Sequence, residues 1–360
     1  MTQQTSPVAR AKIFAEWLGI RLPILLAPMT GACPPPLSAA VADAGGLGAC
    51  GAALMKPDEI ATWCAEFRRQ SAGDFQINLW IPQKEICRDA ATEERQRAFL
   101  AQWGPVVDPA AGEGVLPDFE AQFRTILEAR PKVISSIMGV YSKQHVAEMK
   151  ARGILWFATA TTAAEARAGE AAGADAILAQ GMEAGGHRGA FDAREGERQA
   201  VGLFALVPQI VDSVSVPVIA AGGIGDGRGV AAALMLGASA AMLGTGFLRC
   251  PETKIAPSYA DRIAKAEAHD TQLTRAFTGR SARAICNDFV RASARADVDA
   301  ASYPVQRGLT AGMREEARKA GDTERMQMWA GQAAKLAFAE PAGQLTERLW
   351  QDASALLTGL

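Results

Sequence analysis

The chain alternates short apolar runs with stretches of helical spacing, and each run is closed by glycine, proline or a polar residue. The runs fall at 23–29, 47–52, 75–81, 133–138, 154–160, 176–180, 217–221 and 240–243. Short, continuous apolar runs of this kind suit strands buried on both faces, as in parallel sheets. Helices are predicted between nearly all of them, at 10–19, from Leu37, and at 57–70, 143–152, 162–172, 204–213 and 228–236. In the 57–70 helix, Asp58 near the start and Arg68 and Arg69 near the end follow the helix dipole, and Thr161 or Thr162 is a suitable cap for the 162–172 helix. This order of elements favours an α/β fold, a closed TIM (βα)8 barrel rather than an open doubly wound sheet. The typical barrel size of ~250 residues fits the span up to Leu248.

Two regions break the regularity. Residues 82–132 are longer and more polar than a simple crossover, with helices predicted at 93–102 and 118–129 and a surface excursion at 104–117. After Cys250-Pro251 the pattern becomes mixed, with a helix near 259–268, a turn at Thr278-Gly279-Arg280 and an irregular stretch around Tyr303-Pro304. Residues 309–339 read as strongly helical, and 342–357 as an amphipathic helix packing back on the barrel. The expected division is a barrel of residues 1–250 and 312–360, with a smaller lid or substrate domain at 251–311.

Composition narrows the function classes. With 37 basic and 39 acidic residues, the chain has no charge excess pointing to nucleic acid or an anionic membrane surface. No run approaches the ~18 apolar residues of a membrane span, and the first residues lack the apolar core of a signal peptide. A cytoplasmic protein is expected. Cys33, Cys50, Cys64, Cys87, Cys250 and Cys286 show no CxxC spacing, so reduced, mostly buried thiols are expected. None of the three histidines, His145, His187 and His269, has a neighbouring ligand at metal spacing.

Barrel sites form at the C-terminal ends of the strands, where Met29, Asn78, Gln180 and Gly222 fall or nearly fall. Glycine loops at 220–229 and 243–247 follow the last two predicted strands, and their backbone N–H groups suit a phosphate, with the Thr245 hydroxyl in addition. Tight turns alone would also explain them. Residues 227–232 match a GxGxxA dinucleotide fingerprint, but no acid stands at the ~20-residue position that fingerprint requires. The segment 176–191, AILAQGMEAGGHRGAF, ends an apolar run in glycines around His187. That histidine reads either as a proton-transfer group at a cavity or as one bonded to a carbonyl in a glycine-rich turn. Glu183, four residues earlier, could orient it or face solvent. Asn78, an amide inside an apolar strand, needs a partner on a neighbouring strand or a ligand.

Taken in order, PILLAPM, FQINLW, AQGMEAGGHRG, AAGGIGDGRG and LGTGFL resemble the nitronate monooxygenase family, formerly called 2-nitropropane dioxygenases. LTRAFTGRSAR at 273–283 and WAGQAAKLA at 329–337 are similar to the family's lid and C-terminal region. The resemblance implies a barrel holding non-covalent FMN, with Pro28 and Met29 beside the flavin, Asn78 and Gln180 hydrogen-bonding it and Gly185 approaching it. Gly222, Gly223, Gly244 and Thr245 match the phosphate loops, and His187 matches the base that removes the α-proton of a nitroalkane. Alkyl nitronates, O2 as co-substrate, and carbonyl compounds and nitrite as products are implied with it, and a His187 imidazolium would favour the anionic substrate.

Two departures stand out. Ile137 occupies the position of a fourth-strand histidine common in the family, and Met242 replaces a phosphate-loop glutamine, leaving its backbone to contribute. Two other readings fit the same motifs: an NAD(P)H-dependent FMN reductase acting on quinones or enoyl compounds, and a flavin-binding barrel without turnover.

Overall fold

The computed structural model describes residues 5–83, 88–114 and 116–359. Its strands, in chain order, are β1 (Ile24–Leu26), β2 (Gly48–Gly51), β3 (Phe75–Trp80), β4 (Val133–Ile137), β5 (Leu155–Ala160), β6 (Ala176–Gln180), β7 (Gly186–His187), β8 (Val218–Ala221), β9 (Ala240–Leu243), β10 (Thr271–Thr274) and β11 (Ala282–Ile285). All except β7, β10 and β11 belong to one parallel sheet in the order β1-β9-β8-β6-β5-β4-β3-β2. Leu47 closes the sheet into a barrel: Leu26 N–H donates to its carbonyl at 2.9 Å, and its own N–H donates to Ile24 O at 3.1 Å. The TIM barrel read from the apolar runs is the observed fold.

The alternation of side chains along each strand divides the core into two shells. Leu25, Leu178, Phe157, Ile219 and Met242 fill the interior, plugged by Phe14 and Leu18 of the first helix, Pro7–Leu18. Their neighbours Ile24, Leu26, Ile177 and Ala179 face outward against the surrounding helices. The predicted caps and breaks hold locally. The helix at Pro57–Gln70 keeps its predicted bounds, and the Thr162 hydroxyl accepts from Glu165 N–H at the start of the Ala163–Ala171 helix.

The expected helix over 309–339 is not continuous. A helix spans Ala311–Ala320 and ends at Gly321, whose φ of 66° is the left-handed cap geometry. Beyond it the chain is largely irregular, with one short 3-10 turn at Ala334–Leu336 before the final helix, Ala342–Thr358. The apolar residues that suggested helical spacing have another use. Met326, Met328, Ala330 and Ala334 pack with Leu248, Ile263 and Ile285, and Ile285 N–H donates to Met328 O at 2.9 Å.

A second, antiparallel sheet, β10-β11-β7, links this region to the barrel. Its neighbouring core joins Phe277, Phe289, Val305 and Leu309 to Leu100, with Trp103 and Ala111 packed against it. The smaller lobe therefore takes in chain from the 90–113 excursion and from 326–334 as well as from 251–311, because both segments supply apolar residues to its cores. Cys33, Cys50, Cys64, Cys250 and Cys286 are free and buried, and Cys87 lies outside the described residues.

The 227–232 glycines have a packing explanation. Gly227 opens the helix Gly227–Met235, whose first N–H groups are capped by the Asp226 carboxylate, and it lies against the final helix. A Cβ at Gly227 would stand 2.3 Å from Asp352 Cβ and 2.9 Å from Ala353 N. Gly227→Ala is accordingly expected to lower unfolding free energy by about 1–3 kcal/mol through overpacking, read as a lower urea midpoint. An unchanged midpoint would show that the two helices separate without cost.

Candidate active site

A cavity of about 1120 Å³ opens at the C-terminal ends of the barrel strands, beneath the smaller lobe. Its size exceeds the ~300–1,000 Å³ of ordinary small-molecule pockets, which leaves room for a cofactor together with a substrate. Pro28, Met29, Asn78, Gln180, Gly185, His187, Gly222, Gly223, Met242, Gly244 and Thr245 all line it.

His187 is fixed from two sides. On the barrel side, Gln180 at the end of β6 donates from Nε2 to His187 O at 3.1 Å and accepts from Gly189 N–H through Oε1 at 2.7 Å. On the lobe side, β7 pairs with β11 so that His187 stands opposite Ala282, and Arg188 N–H donates to Ser281 O at 2.9 Å. The imidazole Nε2 lies 2.9 Å from the Thr278 hydroxyl, which in turn donates to Arg280 O at 3.2 Å. With the hydroxyl proton directed at that carbonyl, the ring proton is assigned to Nε2, and Nδ1 is left as the free lone pair. Among the described residues Nδ1 has no protein partner.

Trp80 and Trp329 meet the imidazole edge to face, with ring centres at 4.7 and 5.3 Å, and Tyr303 lies against Trp80 at 5.3 Å. This enclosure, together with the positive charges of Arg280 and Arg307, pushes the His187 pKa down to about 3. The expected imidazolium is therefore corrected: the resting ring is neutral, because burial and two nearby guanidinium groups oppose its protonation.

Glu183 does not orient His187. Both of its carboxylate oxygens accept from Leu203 N–H, at 2.8 and 3.0 Å, which caps the helix Leu203–Val211. Asn78 finds a neighbouring strand, donating from Nδ2 to Ser135 Oγ at 3.1 Å, while the residue also lines the cavity. Gly185 packs against the lobe: a Cβ there would come within 2.6 Å of the backbone at Ala330 and Gly331. Met242 sits in the barrel's inner core directly under the cavity. Ile137, at the end of β4, lines the cavity with an apolar side chain in place of a second imidazole.

The two glycine loops present a different surface. Gly222 and Gly223 have φ of 108° and 69°, conformations that favour glycine. Among the described residues, the backbone N–H groups of Gly222, Gly223, Gly244 and Thr245 donate to no protein acceptor. Backbone donors without protein partners, gathered at one end of a cavity, form a cradle for an anion. The Thr245 hydroxyl is anchored by accepting from Gly331 N–H at 3.0 Å. Among the described residues, no group of three or more His, Cys, Asp or Glu side chains is placed to hold a metal ion, and no helix is long and apolar enough to cross a membrane.

Trp80, Thr278, Tyr303, Arg307 and Trp329 complete the chamber. The sequence marked Thr278 only as a turn residue and did not identify Arg307. For Trp329 the available signal was Gly321, a glycine placed to cap and end the helix before it.

The chain matches the family described as nitronate monooxygenase over residues 12–352. It is 36% identical over 337 residues to a probable nitronate monooxygenase of Staphylococcus aureus strain Newman, covering 93% of this chain and 95% of that protein. Among solved structures it resembles a nitroalkane oxidase from Streptomyces ansochromogenes, with a TM-score of 0.88 and 36% identity over 96% of this chain and 99% of that one. FabK from Thermotoga maritima is also similar, with a TM-score of 0.76 and 31% identity over 96% and 97% of the two chains. With a matching family profile across nearly its whole length and a barrel cavity that gathers the family's motifs, this chain belongs to the nitronate monooxygenase family and is an oxidoreductase.

Proposed function

We propose that the protein oxidises alkyl nitronates, and nitroalkanes after deprotonation, with O2 and bound FMN, giving carbonyl compounds and nitrite. The reading is carried by one observation: a neutral, Thr278-bound His187 faces the same cavity as four unpaired backbone N–H groups. The residues present fit the cofactor. Gly222, Gly223, Gly244 and Thr245 would hold its phosphate, with Pro28, Met29, Asn78, Gln180, Gly185 and Met242 along the rest of the molecule. FMN, when bound, supplies the electron acceptance and the reaction with oxygen.

The chain's own task is proton handling, orientation and exclusion of water. His187 Nδ1 takes the α-proton of a neutral nitroalkane, while Nε2–H stays on Thr278 and fixes the ring's orientation. Because Gln180 engages the His187 loop through both ends of its amide, it acts on the base by holding that loop, and its second Nε2 hydrogen remains for the cofactor. Trp80, Tyr303 and Trp329 keep the α-carbon in apolar surroundings. The smaller lobe acts as the lid that supplies Thr278, Tyr303 and Trp329.

Aerobic turnover of ethyl nitronate by the purified protein should consume oxygen and release nitrite, and heat-released flavin should have the mass of FMN. Rapid anaerobic bleaching of the flavin by NADPH, with no nitrite formed from nitronate, would instead favour the reductase reading.

His187→Asn is expected to lower kcat/KM for nitroethane by about 10²–10⁴-fold, the usual worth of a positioned base, with a much smaller effect on preformed ethyl nitronate. Equal losses on both substrates would remove the base assignment.

The pH profile follows from the same group. The neutral ring is the active form, and its depressed pKa of about 3 means it is lost only as pH falls through that region. Nitroethane kcat/KM should therefore show no His187 limb near the ordinary histidine value of about 6.5. A limb there that disappears in His187→Asn would contradict the neutral enclosed site.

A further inference from the structure

Lys254, Arg307, Arg314 and Arg318 line the cavity and Arg280 stands outside it, so exposure and partners distinguish them. Arg280 is 3% exposed and donates from Nη2 to Ala190 O at 2.5 Å, so its charge is walled off. Arg314 is fully engaged: Nε donates to Thr310 Oγ1 at 3.1 Å, Nη1 to Gln327 Oε1 at 3.1 Å and Nη2 to Arg307 O at 2.8 Å. Arg318 pairs with Glu315 at 2.8 Å, and Lys254 is exposed at the rim. Arg307 combines two features these do not share: it is a half-buried lining residue of the cavity, and its side chain has neither an ion pair nor a hydrogen-bond acceptor among the described residues.

The backbone carrying Arg307 is held firmly. It lies on the short helix Val305–Leu309, whose Val305, Gln306 and Leu309 are buried. Gly308 fits so tightly against the 109–113 turn that a Cβ would come within 2.0 Å of Ala111 O. Arg314 holds the Arg307 carbonyl from the other side. A half-buried cation on a fixed backbone, lining an aromatic chamber without an ion-pair partner, suits an anion. It is also close enough to His187 and Tyr303 for its charge to act on the ionisation of both.

Resting on the nitronate reading, we propose that Arg307 holds the anionic nitro end of the substrate in the chamber walled by Trp80, Tyr303 and Trp329. Division of labour follows: Arg307 supplies the charge for the anion and His187 the lone pair for the proton. A neutral nitroalkane meets the same guanidinium only as a dipole, so the contact strengthens as the α-proton leaves.

The test compares the holoenzyme with Arg307→Met and Arg307→Lys. The Met variant is expected to raise KM for ethyl nitronate by about tenfold or more, the worth of one lost charged hydrogen bond. KM for nitroethane should change by no more than about threefold, and Lys should recover most of the nitronate KM. Isothermal titration with nitrate, a planar anion that is not turned over, should show a Kd about tenfold or more weaker in the Met variant, with recovery in Lys. Unchanged nitronate KM and nitrate Kd in Arg307→Met overturn the proposal, as does an equal loss for the neutral and anionic substrates. If the parent oxidises no nitronate, the reaction reading fails, and nitrate binding alone then decides whether Arg307 is an anion site.

Discussion

The two-residue pairing of β7 with β11 is the constraint on which the rest of the site depends. Gly186 and His187 leave the barrel as a loop, yet they form the edge of the smaller lobe's sheet, opposite Arg283 and Ala282. One short strand thus belongs to two structures. Gln180 fixes it to the barrel, Thr278 meets the imidazole from the lobe, and Gly185 lets the Ala330–Gly331 backbone close over it. Shifting the pairing by one residue would send the imidazole to the opposite face of the strand, away from the cavity. The lobe is therefore part of what aims the imidazole, in addition to covering the cavity.

The two ends of the cavity differ in electrostatic character. At the glycine loops, small dipoles converge from backbone N–H groups, which suits a phosphate already bearing full charge. Around His187 the walls are aromatic, and burial, with two guanidinium groups adding to it, keeps the ring neutral. Arg280 does so from behind a bonded carbonyl contact, whereas Arg307 does so from inside the chamber. The same field that disfavours an imidazolium favours an anion, and both effects follow from placing cations beside a low-dielectric space.

Much of this was legible in the sequence, for physical reasons that can be named. The eight barrel strands are apolar on both faces and end in glycine, proline or polar residues, so each of them is marked locally. The glycine loops are equally local, since Gly222 and Gly223 adopt positive φ. What the sequence concealed depends on contacts between distant segments. Glu183 looks like a partner for His187 four residues on, but the fold gives it to Leu203. The Ala- and Met-rich stretch after Gly321 has helical composition, but its apolar side chains are claimed by Leu248, Ile263 and Ile285. The charge state of His187 was not readable at all, because it depends first on burial by segments distant in the chain and then on Arg280 and Arg307, which stand 93 and 120 positions away.

Ile137 sharpens the argument about division of roles. A site with two imidazoles could keep one protonated to hold the anion and one neutral to take the proton. Here Ile137 removes that option, and a single ring cannot be both at the same pH. Deprotonating a nitroalkane beside a lone neutral histidine creates an imidazolium and a nitronate together inside an aromatic enclosure, where each needs a compensating partner. Thr278 can accept from the imidazolium but does not balance the substrate's charge. The guanidinium proposed to hold the anion would balance it, and Arg307 stands on the same lobe that places Thr278 against the ring.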